Sequence, residues 1–349
     1  MFRYTLFKLQ PANTQLMLPH GGFRRLTSAL TPTRQYNSLR TPELSDHAPF
    51  VLQFAMHNKN SITPYLVPWR SHYHTKDYKR ISVLTWNIMM RGQYNETKRR
   101  YNNAYSANET KAEYLLRIER IAQNIAECVK KDPNFAMIFL QEAPVCPTEQ
   151  KYMTDWLEEY LPSHFKVQLN ATDWGILTIV NSHFFPDLRK LDTVYAGELC
   201  DMNTRKTTFV LPGLKTPLTN LHLPHDKPQE ALKLVMNYLA HALTSNIQRN
   251  ERYGSFVFTG DWNLSAETIE TEAIRTLEML FHEKLPVRCD VSIQRSPAGH
   301  IKTDGKVVEV DCSLVVSYKV SHKDLTLIQK ELSSALVVDH AVIDFSPRI

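Results

Sequence analysis

The chain has 349 residues, of which 43% are hydrophobic and 22% charged, so it can bury a large core in one big α/β domain or two ordinary ones, and gross disorder is excluded. No run of about 18 apolar residues occurs, which excludes a membrane-spanning helix of the usual kind. The formal net charge of +5 does not signal a basic face: Arg3, Lys8, Arg24, Arg25, Arg34 and Arg40 stand in residues 1–42 without any Asp or Glu, and 41 basic residues less these six leaves 35 against 36 acidic.

Five scattered cysteines, Cys128, Cys146, Cys200, Cys289 and Cys312, form no C-x-x-C pair. That argues against a disulfide framework and a structural zinc site, and for free thiols in an intracellular, reducing compartment. The acid-free leader opens with an apolar-basic run from Met1 to Leu9, the composition of an organellar transit peptide. A disordered basic tail fits it equally well, given Pro11 and Gly21-Gly22. Residues 43–79, rich in His, Pro and Tyr, lack a clear period and read as an extension on the edge of a domain spanning 80–349.

From residue 80 onward strand-like and helix-like segments alternate. Ile81 to Trp86 is a short β-branched strand, and Glu109 to Lys131 a helix, since Leu115, Ile118, Ile121, Ala122, Ile125 and Val129 share one face. Asp132-Pro133 stops that helix, Phe135 to Leu140 is a buried strand, and a helix follows near 150–160. Strands are expected at Gly175 to Phe184, Thr207 to Leu211 and Pro217 to His222. Asp226 is expected to cap the next helix, with Pro228 in its first turn and an apolar stripe from Ala231 to Leu243. Phe256 to Thr259, Val307 to Ser317 and Ala341 to Phe345 complete the strands.

The ends of these strands carry the chemistry. Apolar runs finish in Thr85-Trp86-Asn87, Leu140-Gln141-Glu142, Asn220-Leu221-His222, Gly260-Asp261-Trp262-Asn263, Val310-Asp311 and Asp339-His340. Strands of one sheet bring their ends together, so residues far apart in sequence converge on one pocket. Taken singly, Asn87 reads equally as a turn residue, Glu142 as a surface acid before Pro144, and Asp261 to Asn263 as a capping loop. Taken together they exceed what folding requires. Carboxylates packed this closely repel unless a cation sits among them, and oxygen ligands favour Mg²⁺ or Mn²⁺ over zinc.

The ordered series TWN, LQE, NLHL, GDWN, EVD and VDH over residues 80–349 resembles the endonuclease/exonuclease/phosphatase superfamily of DNase I-like, metal-dependent phosphoesterases. The resemblance implies a four-layer α/β sandwich, with two mixed β-sheets face to face and helices outside. It implies Glu142 as the main Mg²⁺ ligand, Asn87 as a metal-site group or phosphate-side donor, and Asp339 beside the metal. Asp261 would orient or deprotonate the attacking water, and Asn263 would donate to the phosphoryl oxygens. Asp311 and His340 would form an Asp–His dyad, and His222 would protonate the leaving oxygen. Arg205 stands where some relatives place a phosphate-gripping arginine.

Departures narrow the substrate class without fixing it. Met89 stands where AP-endonuclease-like members carry an acid, and Leu264-Ser-Ala-Glu-Thr lacks the deadenylase continuation. The expectation is a Mg²⁺-dependent phosphoesterase, foremost a nuclease-type phosphodiesterase acting on nucleic acid. The alternatives are a lipid or inositol-phosphate phosphatase, a sphingomyelinase-like phosphodiesterase, and an inactive binding module. Oligomeric state stays open. His225, His241, His282, His300 and His322 match no motif and read as solvated.

Overall fold

The computed structural model describes residues 24–25, 44–57, 66–69, 78–89, 94–95, 100–101, 110–169, 175–184, 189–191, 206–210, 216–281, 285–296, 300–301 and 307–338. In chain order the elements are β1 (Arg24–Arg25), β2 (Phe50–His57), β3 (Leu66–Pro68), β4 (Tyr78–Asn87), β5 (Tyr94–Asn95) and β6 (Arg100–Tyr101). Then come helix α1 (Lys111–Lys131), β7 (Phe135–Gln141), α2 (Pro147–Tyr160), β8 (Phe165–Leu169), β9 (Leu177–Asn181), β10 (Arg189–Leu191), β11 (Lys206–Val210) and β12 (Pro217–His222). The last are α3 (Pro228–Gln248), β13 (Tyr253–Asp261), α4 (Ala266–Phe281), β14 (Val287–Arg295), β15 (His300–Ile301), β16 (Val307–Val308), β17 (Asp311–Val320) and α5 (Leu325–Val338).

Two mixed sheets dominate. One has six strands in the order β3-β2-β4-β7-β9-β8, the other seven in the order β1-β14-β17-β13-β12-β11-β10. Alternate side chains of each strand point to opposite faces, and the core divides accordingly. Phe50, Leu52, Phe54, Ile81, Val83, Met137 and Phe139 of the first sheet meet Leu218, Val257 and Val315 of the second in a central layer. On the outer face of the first sheet, Leu84, Trp86, Ile138 and Leu140 pack against α1 and α2. On that of the second, Phe256, Phe258, Leu314 and Val316 pack against α3, α4 and α5. The layers are therefore helix, sheet, sheet, helix, the four-layer α/β sandwich that the resemblance implies.

The boundary expected between residues 79 and 80 falls inside β4. Residues 50–57 pair antiparallel with β4 in eight register positions, from Phe50 opposite Thr85 to His57 opposite Tyr78. Phe50, Leu52, Phe54 and Leu66 belong to the central core. Strand β2 and Leu66 are thus part of the sandwich rather than of an extension on its edge. Their sequence period is obscured because β2 is covered on both faces, which removes the polar alternation.

Local signals explain most of the element ends. Thr110 and Glu113 form a reciprocal capping box that starts α1 two residues later than expected, with Thr110 N–H donating to Glu113 Oε2 at 2.8 Å. At α3 the N-cap is Lys227, without a side-chain bond, so Asp226 does not cap it; Pro228 does occupy the first turn. The single strand expected over Val307 to Ser317 is broken into β16 and β17. Ala341 to Phe345 lie outside the described residues. Cys128, Cys146, Cys289 and Cys312 are free thiols, and no helix among the described residues is long and apolar enough to cross a membrane.

Candidate active site

The second sheet supplies one row of site residues through its register alone. His222 at the end of β12 is opposite Asp261 at the end of the parallel β13, and Asp261 is opposite Asp311 at the start of the antiparallel β17. Gly260 permits this approach: its φ is +140°, and a Cβ there would lie 2.0 Å from Leu221 O on the neighbouring strand. Trp262, fully buried, donates its indole N–H to Cys312 O at 3.0 Å and locks the turn after Asp261. It is a packing residue rather than a substrate platform.

The first sheet supplies the facing row. Asn87 ends β4 opposite Gln141 of β7, and Glu142 follows directly. Glu142 has φ of +55°, and Met89 and Asn263 have φ of +52° and +51°. Left-handed backbone is costly for such residues and persists where surrounding structure enforces it, often at functional sites. Three of the four non-glycine residues in this region, among those described, stand on site loops. Gly175, at φ +59°, accepts the Ala143 N–H at 2.7 Å and leaves no room for a Cβ beside the Glu142 turn.

Polar bonds join the two rows across the sandwich. Asn87 Nδ2 donates to Asp261 Oδ2 at 2.9 Å and to Glu142 Oε1 at 3.0 Å. Below them, Gln141 Nε2 donates to Asn220 Oδ1 at 2.6 Å, and Asn220 Nδ2 donates to Leu140 O and Leu177 O. Because Asn87 Oδ1 accepts the Met89 N–H at 3.0 Å, the amide orientation is fixed. Asn87 therefore turns its amide hydrogens, and not its oxygen, toward Asp261 and Glu142.

The segment 44–49 supplies a residue that the sequence did not reveal. His47, 5% exposed, places Nδ1 2.8 Å from Asp311 Oδ2 and Nε2 3.8 Å from Asp261 Oδ2. The segment is tied down along its length. Trp86 Nε1 donates to His47 O at 2.9 Å, Ser45 Oγ donates to Asn87 O at 2.7 Å, and the buried Arg117 guanidinium donates to Leu44 O, Ile88 O and Met89 O. Arg117 thereby clamps both the segment and the loop after β4 from the helix behind them.

Charge in this cluster is balanced from within. Burial alone would depress the His47 pKa, but Asp311 and Asp261 outweigh it and raise it to about 10. Burial alone would likewise raise the Asp261 pKa. The imidazoles of His47 and His222, the Asn87 amide and the Asn263 N–H outweigh burial and hold it below the ordinary carboxylate value.

His222 Nε2 lies 3.5 Å from Glu142 Oε1 and 3.9 Å from Asp261 Oδ2, while its Nδ1 is buried without a hydrogen-bond partner among the described residues. One donor atom from each of Glu142, His222 and Asp261 lies within 4.8 Å of the other two. Two carboxylate oxygens and an imidazole nitrogen at that spacing fit a divalent cation.

Six of the expected site residues, Asn87, Glu142, His222, Asp261, Asn263 and Asp311, thus stand at neighbouring strand ends. Asn263 is partly committed, since its Nδ2 donates to Leu223 O at 2.8 Å while its N–H donates to Asp261 Oδ1. Arg205, Asp339 and His340 lie outside the described residues. Where the resemblance implies His340 beside Asp311, the described imidazole is that of His47. His300, expected to be solvated, packs its ring edge-on against His47 with centroids 4.2 Å apart.

No protein-family profile matches the chain, and no curated protein matches it. Among solved structures, it is similar to TDP2 from Caenorhabditis elegans, with 15% identity, 69% of this chain and 74% of that one covered, and a TM-score of 0.35. An AP endonuclease from Archaeoglobus fulgidus shares 12% identity over 57% of this chain and 94% of its own, with a TM-score of 0.32. ANGEL2, a 2',3'-cyclic phosphatase, shares 14% identity over 53% of each chain, with a TM-score of 0.34. Likenesses this distant say nothing about the chemistry, which rests on the residues of the site itself.

Proposed function

We propose that the chain is a divalent-metal-dependent phosphoesterase, foremost a nuclease-type phosphodiesterase. The observation that carries this reading is the setting of Asp261. Its Oδ1 is fixed by the Asn263 N–H at 3.0 Å, while its Oδ2 faces Asn87 Nδ2, His47 Nε2 and His222 Nε2. A buried carboxylate fixed through both oxygens, beside a second carboxylate and two imidazoles, suits the orientation and deprotonation of an attacking water.

In the proposed reaction a water oxygen bonds to phosphorus, its proton passes to Asp261, and the bond to the leaving oxygen breaks as that oxygen takes a proton from His222. The uncommitted amide hydrogen of Asn263 donates to the phosphoryl oxygens as charge develops on them, while Asn87 Nδ2 holds the Asp261 and Glu142 carboxylates in position. Glu142, with Asp339, would hold Mg²⁺ or Mn²⁺; when bound, the cation neutralises phosphate charge and polarises the bond under attack. Asp311 binds His47 through Oδ2, which leaves Oδ1 for the His340 contact that the resemblance implies. Arg205 is assigned to a substrate phosphate on the same basis.

The test is a substrate screen of the purified full chain against single-stranded RNA, plasmid DNA, sphingomyelin and phosphoinositides, with Mg²⁺ or Mn²⁺ and with EDTA. Cleavage of a nucleic acid that stops in EDTA and returns with either cation is expected. Turnover only of the lipids would select the lipid-directed alternative. Full activity in EDTA would remove the metal from the mechanism, and no activity on any substrate would favour the binding module.

A further inference from the structure

The groups around His47 extend past those the proposed reaction uses. Beside His47 stand Asp46 and His300, neither of which belongs to the motif series. His300 Nε2 lies 3.8 Å from Asp46 Oδ2, and the His47 and His300 rings meet edge-on at 69°. One donor atom from each of Asp46, His47 and His300 lies within 4.8 Å of the other two. The arrangement is built by the backbone, because His47 and His300 form an antiparallel β-bridge that places these two residues, 253 positions apart in sequence, directly opposite each other.

A second feature points to a ligand. With Nδ1 of His47 engaged by Asp311 at 2.8 Å, the ring nitrogen left to a cation is Nε2, which gives up its proton as the ion binds. A carboxylate on one ring nitrogen of a histidine whose other nitrogen binds metal is the arrangement that fixes the tautomer and raises the basicity of the ligand. His47 is also held at its backbone by Trp86 Nε1 and by the Ser45 hydroxyl, which accepts the His47 N–H at 3.1 Å. Asp46 and His300 have side chains 16% and 23% exposed, so the group opens toward solvent at the rim, where solvent can complete a coordination shell.

We propose that Asp46, His47 and His300 form a second cation site at the rim of the pocket, distinct from the Glu142 site and selective for a borderline divalent ion of the Zn²⁺ class. Two imidazoles and one carboxylate with an open position are the donor set of many zinc centres, whereas Mg²⁺ takes oxygen ligands and dehydrates reluctantly. The donors differ from those proposed for the phosphoesterase metal, so the site does not depend on that reading.

Co²⁺ serves as the spectroscopic probe and Zn²⁺ as the calorimetric one, both with the full chain in excess Mg²⁺. The expected result is one Zn²⁺ bound per chain that Mg²⁺ does not displace, with the visible absorption of four- or five-coordinate Co²⁺. Asp46→Asn and His300→Ala should each weaken Zn²⁺ binding at least ~10-fold. Asp311→Asn, acting through the His47 ring, should weaken it about 10- to 100-fold. Glu142→Gln and His222→Ala should leave it intact. Melting curves confirm that each variant folds. Tight Zn²⁺ binding that survives His300→Ala in a folded protein would overturn the site. So would loss of the Co²⁺ spectrum in Glu142→Gln with retention in Asp46→Asn, which would move the ion to the Glu142 group. Complete displacement of Zn²⁺ by Mg²⁺ would overturn the claimed selectivity.

Discussion

Asp132 and Asp261 are buried to nearly the same degree, 3% and 2% exposed, and both are held below the ordinary carboxylate pKa. The causes separate them. For Asp132, burial is outweighed by the Ser82 hydroxyl at 2.7 Å, the Asn134 N–H and amide at 2.9 and 2.8 Å, and the nearby Arg80. Those donors are neutral or permanently charged, and they tie the end of α1 to β4 and β7. For Asp261, burial is outweighed first by two imidazoles, groups that exchange protons and bind metals. Ser82 and Asn87 stand five positions apart on β4, roughly 16 Å along the strand. One end of the sandwich thus carries a carboxylate with a closed set of donors, the other a carboxylate whose partners are themselves reactive.

The largest effect should come from breaking the reactive end. Asp261→Asn should lower kcat about 10²-fold or more while changing KM little, because the group acts mainly as the transition state forms. Steady-state kinetics on a substrate identified by the screen, with circular dichroism to confirm folding, checks this. Near-native kcat in the folded variant would reduce Asp261 to a second Asp132.

Gly260→Ala tests what the reactive end demands of its backbone. A Cβ 2.0 Å from Leu221 O at φ +140° cannot be accommodated without moving a strand. The expected loss is about 3 kcal/mol or more in urea unfolding. A variant as stable as the native chain would show that β12 and β13 separate easily.

Asp132→Asn should lose about 1–3 kcal/mol, the scale for disturbing a buried hydrogen-bonded group, with kcat at 25 °C unchanged. The sign with pH follows from its depressed folded pKa. The contribution is present above the unfolded value and is lost as pH falls through the folded one. Unfolding free energy measured from pH 7 down to pH 2 should therefore fall less steeply at its acid end in Asp132→Asn. An unchanged acid slope would mean that Asp132 contributes no pH dependence.

The smallest effect should come from removing residues 1–42, whose described part is the two-residue strand β1 paired with β14. Melting temperature and kcat should stay close to those of the full chain. Extending the deletion through residue 49 removes His47 and the Leu44 carbonyl that Arg117 binds, so activity and stability should both fall. Equal behaviour of the two deletions would return residues 44–49 to the status of an appendage.

The strand-end residues were legible because a polar group directly after a buried apolar run breaks the simplest pattern a sequence can show. Pro217 to His222 has the expected bounds, and Asn87, Glu142, His222 and Asp261 lie where those runs stop, while Asp311 opens β17 instead. Strand β14 was not seen because its burial alternates irregularly and its core positions include Cys289 and Ser292. His47 was hidden differently. It lies in a mixed stretch of His and Pro, and its partners Asp261 and Asp311 are set by tertiary contact alone. An acid-and-imidazole pair at such separation leaves no local period, and Asp46-His47 beside the apolar strand at Phe50 was the available clue. The orientation of the Asn87 amide depends on the Met89 N–H and has no sequence signature at all.

The bond from His47 to Asp311 closes a loop of 264 residues. Loop-closure entropy rises only slowly with length, so this span costs little in the finished fold, but its contacts cannot form until both partners exist. During synthesis His47 emerges 264 residues before Asp311, and domains assemble as their strands become available. The first sheet can pair β2 with β4 and β7 well before β17 leaves the ribosome. The end that holds the proposed site would then be the last part of the sandwich to close, so that a half-made chain carries a folded sheet but no assembled centre. Ribosome-bound chains stalled before and after β17, compared for protease resistance and for turnover, would show the first property preceding the second.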